Sequence, residues 1–100
     1  MTANIEDLKN KILPVVKKHK LVSVYLFGSR ARGDAQKDSD YDFYIDAPYI
    51  EDMLDFGELF TDMKDVLQAK VDIVLVPDSY TKLDEYIMKA IQRDGVLVYG

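Results

Sequence analysis

Asp40 and Asp42 flank Tyr41, and Gly28-Ser29 stands ten residues before them. These are the residues whose types and spacing could do chemistry. On an extended strand, residues i and i+2 point to the same face with Cα atoms about 6.5 to 7 Å apart. Two carboxylates so placed can converge on one or two hard cations. Magnesium takes oxygen ligands, keeps some of its waters, and is commonly held by one or two carboxylates plus substrate phosphates. Two such ions roughly 3.5 to 4 Å apart can clamp the attacking and leaving oxygens of an in-line displacement. Taken alone, Asp-x-Asp equally describes an acidic loop entering an exposed strand. Gly28-Ser29 shifts the balance. A glycine lets the chain turn tightly and brings backbone close to a phosphate. Ser29 offers a hydroxyl and an amide to phosphate oxygens. Arg30 and Arg32 add cations able to pair with phosphates.

A nucleophilic hydroxyl needs a base or a metal-held orientation, which calls for a third carboxylate. Asp72 is the candidate. It sits in Lys70-Val71-Asp72-Ile73-Val74, a charged residue at the start of an otherwise apolar run. An inner strand would avoid an unpaired carboxylate there. If this strand lies beside the one that carries Asp42, Asp72 completes a triad of acids. Otherwise it is a strand end reaching solvent.

The elements that must position these residues follow from periodicity. Residues 4–19 carry Ile5, Leu8, Ile12, Val15 and Val16 at helical spacing, with Asn4 as a candidate N-cap. Pro14 lies inside this pattern and should kink or split the helix. Leu21 to Phe27 reads as a buried strand. Tyr41 to Ala47 reads as the next, with Phe43 and Ile45 on one face and Asp42, Tyr44 and Asp46 on the other. Helical spacing returns over 51–69 through Met53, Leu54, Leu59, Phe60, Met63, Val66 and Leu67. Val71 to Val76 is a third strand, stopped by Pro77-Asp78. Leu83 to Arg93 reads as a shorter helix capped by Gly95, and Val96 to Tyr99 as a last strand. The order α-β-β-α-β-α-β predicts an α/β fold, a small mixed sheet with flanking helices.

Bulk properties bound the function. The 100 residues make one domain, 1–100, and 48% of them are hydrophobic, which suits a single packed core. There are no cysteines, hence neither a disulfide nor a thiolate metal site. No apolar stretch is long enough to span a bilayer and no signal peptide opens the chain, so a cytoplasmic protein is expected. The net charge of -5 repels a polyphosphate backbone and disfavours direct nucleic-acid binding. It leaves nucleoside triphosphates open, because divalent cations screen them, and it suits a basic protein partner. Arg32-Gly33-Asp34 is an integrin-type tripeptide by coincidence in such a chain. His19, the only histidine, lies outside the motif and reads as a helix-end residue. Tyr41 faces away from the aspartates and packs; Tyr25, Tyr44 and Tyr99 fall on strands as core or sheet-surface residues.

Gly28-Ser29, Asp40-Tyr41-Asp42 and the later Asp72 together resemble the polymerase-beta-like nucleotidyltransferase superfamily. Within it, Leu26-Phe27-Gly28-Ser29-Arg30-Ala31-Arg32-Gly33 and Ser39-Asp40-Tyr41-Asp42-Phe43 resemble the minimal nucleotidyltransferases (MNT), antitoxins of HEPN/MNT toxin–antitoxin pairs. The resemblance covers nearly the whole chain. It implies that Asp40, Asp42 and Asp72 ligate two magnesium ions, with Asp72 also helping the attacking hydroxyl. It implies that Gly28 and Ser29, joined by Arg30, hold the triphosphate of ATP. The transferred group would be AMP, the acceptor a tyrosine hydroxyl of the HEPN toxin, an RNase, and pyrophosphate would leave. The chain stops after this core, whereas larger members carry an acceptor-binding domain, so a second protein is expected to supply or be the acceptor. Two other readings stand beside this one. The chain could neutralise a toxin by binding alone, or it could modify a small molecule such as an aminoglycoside with a helical partner chain forming the pocket.

Overall fold

The amphipathic N-terminal segment folds as helix α1, Ile5–His19, with Leu8, Ile12, Val15 and Val16 buried. The structure, a computed structural model, describes residues 5–28, 40–75 and 95–100, together with Lys89 and Arg93. Asn4, the candidate cap, lies outside the described residues. Pro14 does not split α1: helical residues run through it. Proline has no N–H to give the carbonyl one turn back, but Pro14 is on the exposed side while Ile12, Val15 and Val16 anchor the other. The helix ends with Lys20 in the left-handed region (φ 54) and a Leu21 N–H to Val16 carbonyl bond of 3.0 Å, the six-to-one closure of a Schellman motif.

Strand β1 (Ser23–Phe27) and strand β2 (Tyr41–Asp46) pair antiparallel. Helix α2 (Met53–Leu67) then returns along the sheet, so that strand β3 (Val71–Leu75) lies parallel to β2. Strand β4 (Val96–Tyr99) pairs antiparallel with β1, with a register shift between Val24 and Tyr25. The sheet order is β3-β2-β1-β4, a mixed sheet as the sequence predicts. Val76 and most of the expected helix 83–93 lie outside the described residues; Lys89 and Arg93 are helical.

The β2-to-β3 crossover is built by a well-stopped helix. The Asp52 carboxylate accepts from the Asp55 N–H at 2.9 Å, and the Asp55 carboxylate accepts from the Glu51 N–H at 3.2 Å. This reciprocal arrangement satisfies N–H groups that the first turn leaves without a helical partner. Gln68 closes the other end at φ 51. Leu59, Met63 and Leu67 face the core, but Met53 and Leu54, counted in the same helical pattern, are 81% and 84% exposed. At 100° per residue, Leu54 stands opposite the buried stripe, so apolar character alone misplaced it.

Both helices cover one face of the sheet, over Val24, Leu26, Phe43, Ile45, Val71 and Val98. Period-two alternation sends Asp42, Tyr44, Asp46 and Asp72 to the other face. Tyr44 is buried there all the same, with 6% exposure. Among the described residues, no buried side-chain polar atom lacks a hydrogen bond, and no helix is long and apolar enough to cross a membrane.

Candidate active site

Asp42 and Asp72 start adjacent parallel strands, and the ladder sets them side by side as register partners. Neighbouring strands are about 4.8 Å apart, so two carboxylates on the same face of a register pair share one small volume. The Tyr41 N–H donates to the Lys70 carbonyl at 3.0 Å, which carries the β2–β3 pairing back to the residue just before the second acid. Asp40 precedes the assigned strand and is half-buried, as is Asp42, while Asp72 is exposed. β3 is at a margin of the four-strand order, which lets its charged residue keep solvent.

Tyr41 and Phe43 alternate away from the aspartates onto the helix-covered side. Their rings stack with centroids 5.9 Å apart and planes 4° from parallel. Phe43 is fully buried and Tyr41 packs against the same core. The pair fixes the side-chain phase of β2, because a one-residue slip would exchange the aromatic and acidic faces.

Gly28 approaches from β1. Phe27 is the register partner of Asp42, and the chain leaves the strand at Gly28 with φ 77. A Cβ at Gly28 would overlap the Asp42 carboxylate. The glycine is therefore required twice, by its backbone conformation and by the acid beside it. Sequence reasoning assigned Gly28 to a phosphate and did not foresee the contact with Asp42. Ser29, Arg30 and Arg32 lie outside the described residues.

A second acidic group sits on the helix layer. The Lys18 ammonium lies 2.8 Å from Glu58 and 2.9 Å from Asp62. The His19 Nε2–H donates to the same Asp62 oxygen at 2.8 Å. Hydrogen bonds from His19 first and Lys18 second hold the Asp62 carboxyl below its ordinary range, and the two acids raise the Lys18 ammonium. Among the described residues, His19, Glu58 and Asp62 have ligand atoms within 4.8 Å of one another, a spacing that could suit a metal. A lysine ammonium already supplies the positive charge between those carboxylates, so the group reads as an ion-paired staple joining α1 to α2. The expectation that His19 is a helix-end residue outside the reaction site agrees with this placement.

Two hard carboxylates, Asp42 and Asp72, thus stand side by side with a left-handed glycine against the first of them, while among the described residues Asp40 does not join them in a three-ligand group. Residues 10–100 match the family described as polymerase beta, nucleotidyltransferase. The chain belongs to that family. A provisionally named protein adenylyltransferase of Methanocaldococcus jannaschii is 33% identical over 97 residues, 96% of either chain. The protein adenylyltransferase MntA of Thermococcus cleftensis is 36% identical over 73 residues, 73% of this chain and 70% of the relative. Among solved structures, a toxin–antitoxin crystal structure with AMP-PNP superposes with a TM-score of 0.74 at 26% identity, covering 92% of this chain and 73% of that one. The family assignment agrees with the resemblance read from the Gly28-Ser29 and Asp40-Tyr41-Asp42 motifs, and the fold is the nucleotidyltransferase fold expected from them.

Proposed function

We propose that this nucleotidyltransferase is the antitoxin of a HEPN/MNT pair, transferring AMP from ATP to a tyrosine hydroxyl of a HEPN-type RNase toxin. The observation that carries the reading is the Asp42–Asp72 register pair with Gly28 against Asp42. The likeness to an adenylyltransferase MntA and to a toxin–antitoxin structure holding an ATP analogue supports AMP as the group and a toxin as the acceptor.

In this reading Asp40, Asp42 and Asp72 would hold two magnesium ions, which would supply charge neutralisation on the phosphates and a raised acidity for the attacking hydroxyl. Gly28 and Ser29 hold the triphosphate through backbone and hydroxyl donors, with Arg30 pairing to a phosphate. The tyrosine oxygen forms a bond to the α-phosphorus, the bond to the bridging oxygen breaks, and pyrophosphate leaves with that electron pair. The phenolic proton departs toward the carboxylate side, where exposed Asp72 orients the hydroxyl. The same reading makes residues 1–100 a single minimal nucleotidyltransferase domain working in the cytoplasm, where ATP and an RNase target are present.

Incubating the chain with magnesium, labelled ATP and the HEPN-type protein encoded next to it tests this. Addition of AMP mass to the partner, lost in Asp40→Ala/Asp42→Ala, is the expected result. Neutralisation of the toxin that survives this double substitution would show that binding alone suffices. Label found only on a small hydroxylated compound would place the chain among small-molecule nucleotidyltransferases.

A further inference from the structure

Helix α2 keeps a solvent-facing apolar strip that the fold does not use. Met53 and Leu54 are 81% and 84% exposed, and nearby Tyr49 is 62% exposed. Gly57 follows Met53 by four residues and Leu54 by three, so it shares their face. It is exposed, and a Cβ there would meet no atom within 4 Å. A glycine inside a helix lowers its stability, and this one has no internal steric reason to be a glycine. What a bare backbone at Met53-Leu54-Gly57 does offer is close approach by another chain.

The surrounding charge says which kind. Glu51, Asp52, Asp55 and Glu58 flank Leu54 in sequence or one turn on, while Lys64 is the basic residue of α2, nearly two turns beyond Gly57. Lys18 pairs with Glu58 and Asp62 from the α1 side and Lys20 lies over the Tyr49 ring at 5.2 Å, so the acids that give the strip its negative rim are Glu51, Asp52 and Asp55. A second copy of this chain would set acid against acid, which costs binding. An apolar helix ridge rimmed by lysine or arginine is complementary.

The strip is also remote from the aspartates. They lie near the start of β2 and β3 on the sheet face opposite α1 and α2, and the first turn of α2 is at the far end of β2. Strand length alone separates the two ends by roughly 13 Å. A partner held at Met53-Leu54-Gly57 is held independently of the reacting atoms.

We infer that the Met53-Leu54-Gly57 face of α2 is the holding surface for a basic, helical face of the protein partner, separate from the site that transfers AMP. This rests on the reading that the partner is a HEPN-type toxin. The test measures affinity by calorimetry between the full chain and the HEPN-type protein encoded next to it. Leu54→Gln and Gly57→Gln should each weaken binding at least tenfold. Gly57→Gln should at the same time raise the melting temperature of the free chain, which a purely structural glycine with a steric need would not do. Glu51→Lys should weaken binding and flatten its dependence on salt. Asp40→Ala/Asp42→Ala should bind as the wild type does. Unchanged affinity in both α2 variants would overturn the inference, as would a self-dimer of the free chain that those variants dissolve. Loss of binding in them, in a system where wild type binds but transfers no AMP, would keep the holding surface and refute the adenylylation reading instead.

Discussion

The molecule gathers carboxylates at two places, and they are built in different ways. At the helix layer, Glu58 and Asp62 are answered from within the chain by Lys18 and His19 at 2.8 to 2.9 Å. Those four side chains reach one another across an exposed groove between α1 and α2. At the sheet, Asp42 and Asp72 are set by backbone register. Among the described residues, neither Asp40 nor Asp72 enters an ion pair. A group whose charge is balanced internally fastens elements together. Carboxylates aligned by a ladder, with their phase locked by the Tyr41–Phe43 stack, are placed for something that arrives from outside. Acid content alone therefore does not separate a staple from a site; what sets the acids in place does, side-chain pairing across two helices in one case and backbone register in the other.

The largest effect that tests this contrast is on chemistry. Asp42→Asn should lower AMP transfer by about a thousandfold or more, since on the proposed reading it removes an oxygen ligand from the reacting centre, and should leave the melting temperature within a few degrees. Asp62→Asn should do the reverse, leaving transfer near wild type while lowering stability. Comparable loss of transfer in both variants, read by AMP mass addition, would end the distinction.

Next in size is Gly28→Ala. The left-handed conformation costs an alanine about 1 kcal/mol, and the overlap with the Asp42 carboxylate adds to it, for a total of roughly 2 kcal/mol. Urea titration should show that loss, and transfer should fall with it because the acid must move. Gly57→Ala runs the other way: with open space around it, the substitution should stabilise by about 0.5 to 1 kcal/mol. The two glycines share a residue type and differ in what surrounds them. Equal signs in the two titrations would refute that account.

What the sequence made legible was whatever has a period or a local spacing. The strands β1, β2 and β3 follow from apolar runs; β1 begins two residues later and β2 ends one residue earlier than the runs suggest, and Val76 lies outside the described residues. Leu21 was counted in the first strand, but its N–H closes α1 on Val16. Val22 still bonds the Asp46 carbonyl at 2.8 Å without entering the strand. The i, i+2 rule placed Asp40 and Asp42 on one side, yet it could not say that Asp72 would stand level with Asp42. That register depends on how far α2 carries the chain between Asp52 and Gln68. The contact of Gly28 with Asp42 and the pairing of His19 with Asp62, 43 residues apart, were invisible for the same reason. Contacts between distant segments leave no periodic trace. Burial of Tyr44 on the acidic side of β2 was likewise not readable from alternation, which gives the face of a residue and not what covers it.

The smallest expected effect concerns pH and the staple. The Asp62 carboxyl is held below its ordinary 3.8 by His19 first and Lys18 second. A carboxyl with a lowered folded-state value binds its proton more weakly when folded than when unfolded. Its contribution is therefore complete above the unfolded value and is lost as pH falls through the folded one. Asp62 is 24% exposed and its partner Lys18 is 53% exposed, so solvent screens the pair and only a small amount of stabilisation is expected. Wild type should thus exceed Asp62→Asn in stability by that amount at neutral pH. The gap should close below about pH 4, and it should narrow in high salt, since exposed charges are screened. Denaturant titrations of both proteins at neutral and acid pH measure it. A gap that stays constant into acid would mean that Asp62 acts through packing and not through its charge, and the internal balancing of the helix-layer acids would lose its energetic basis.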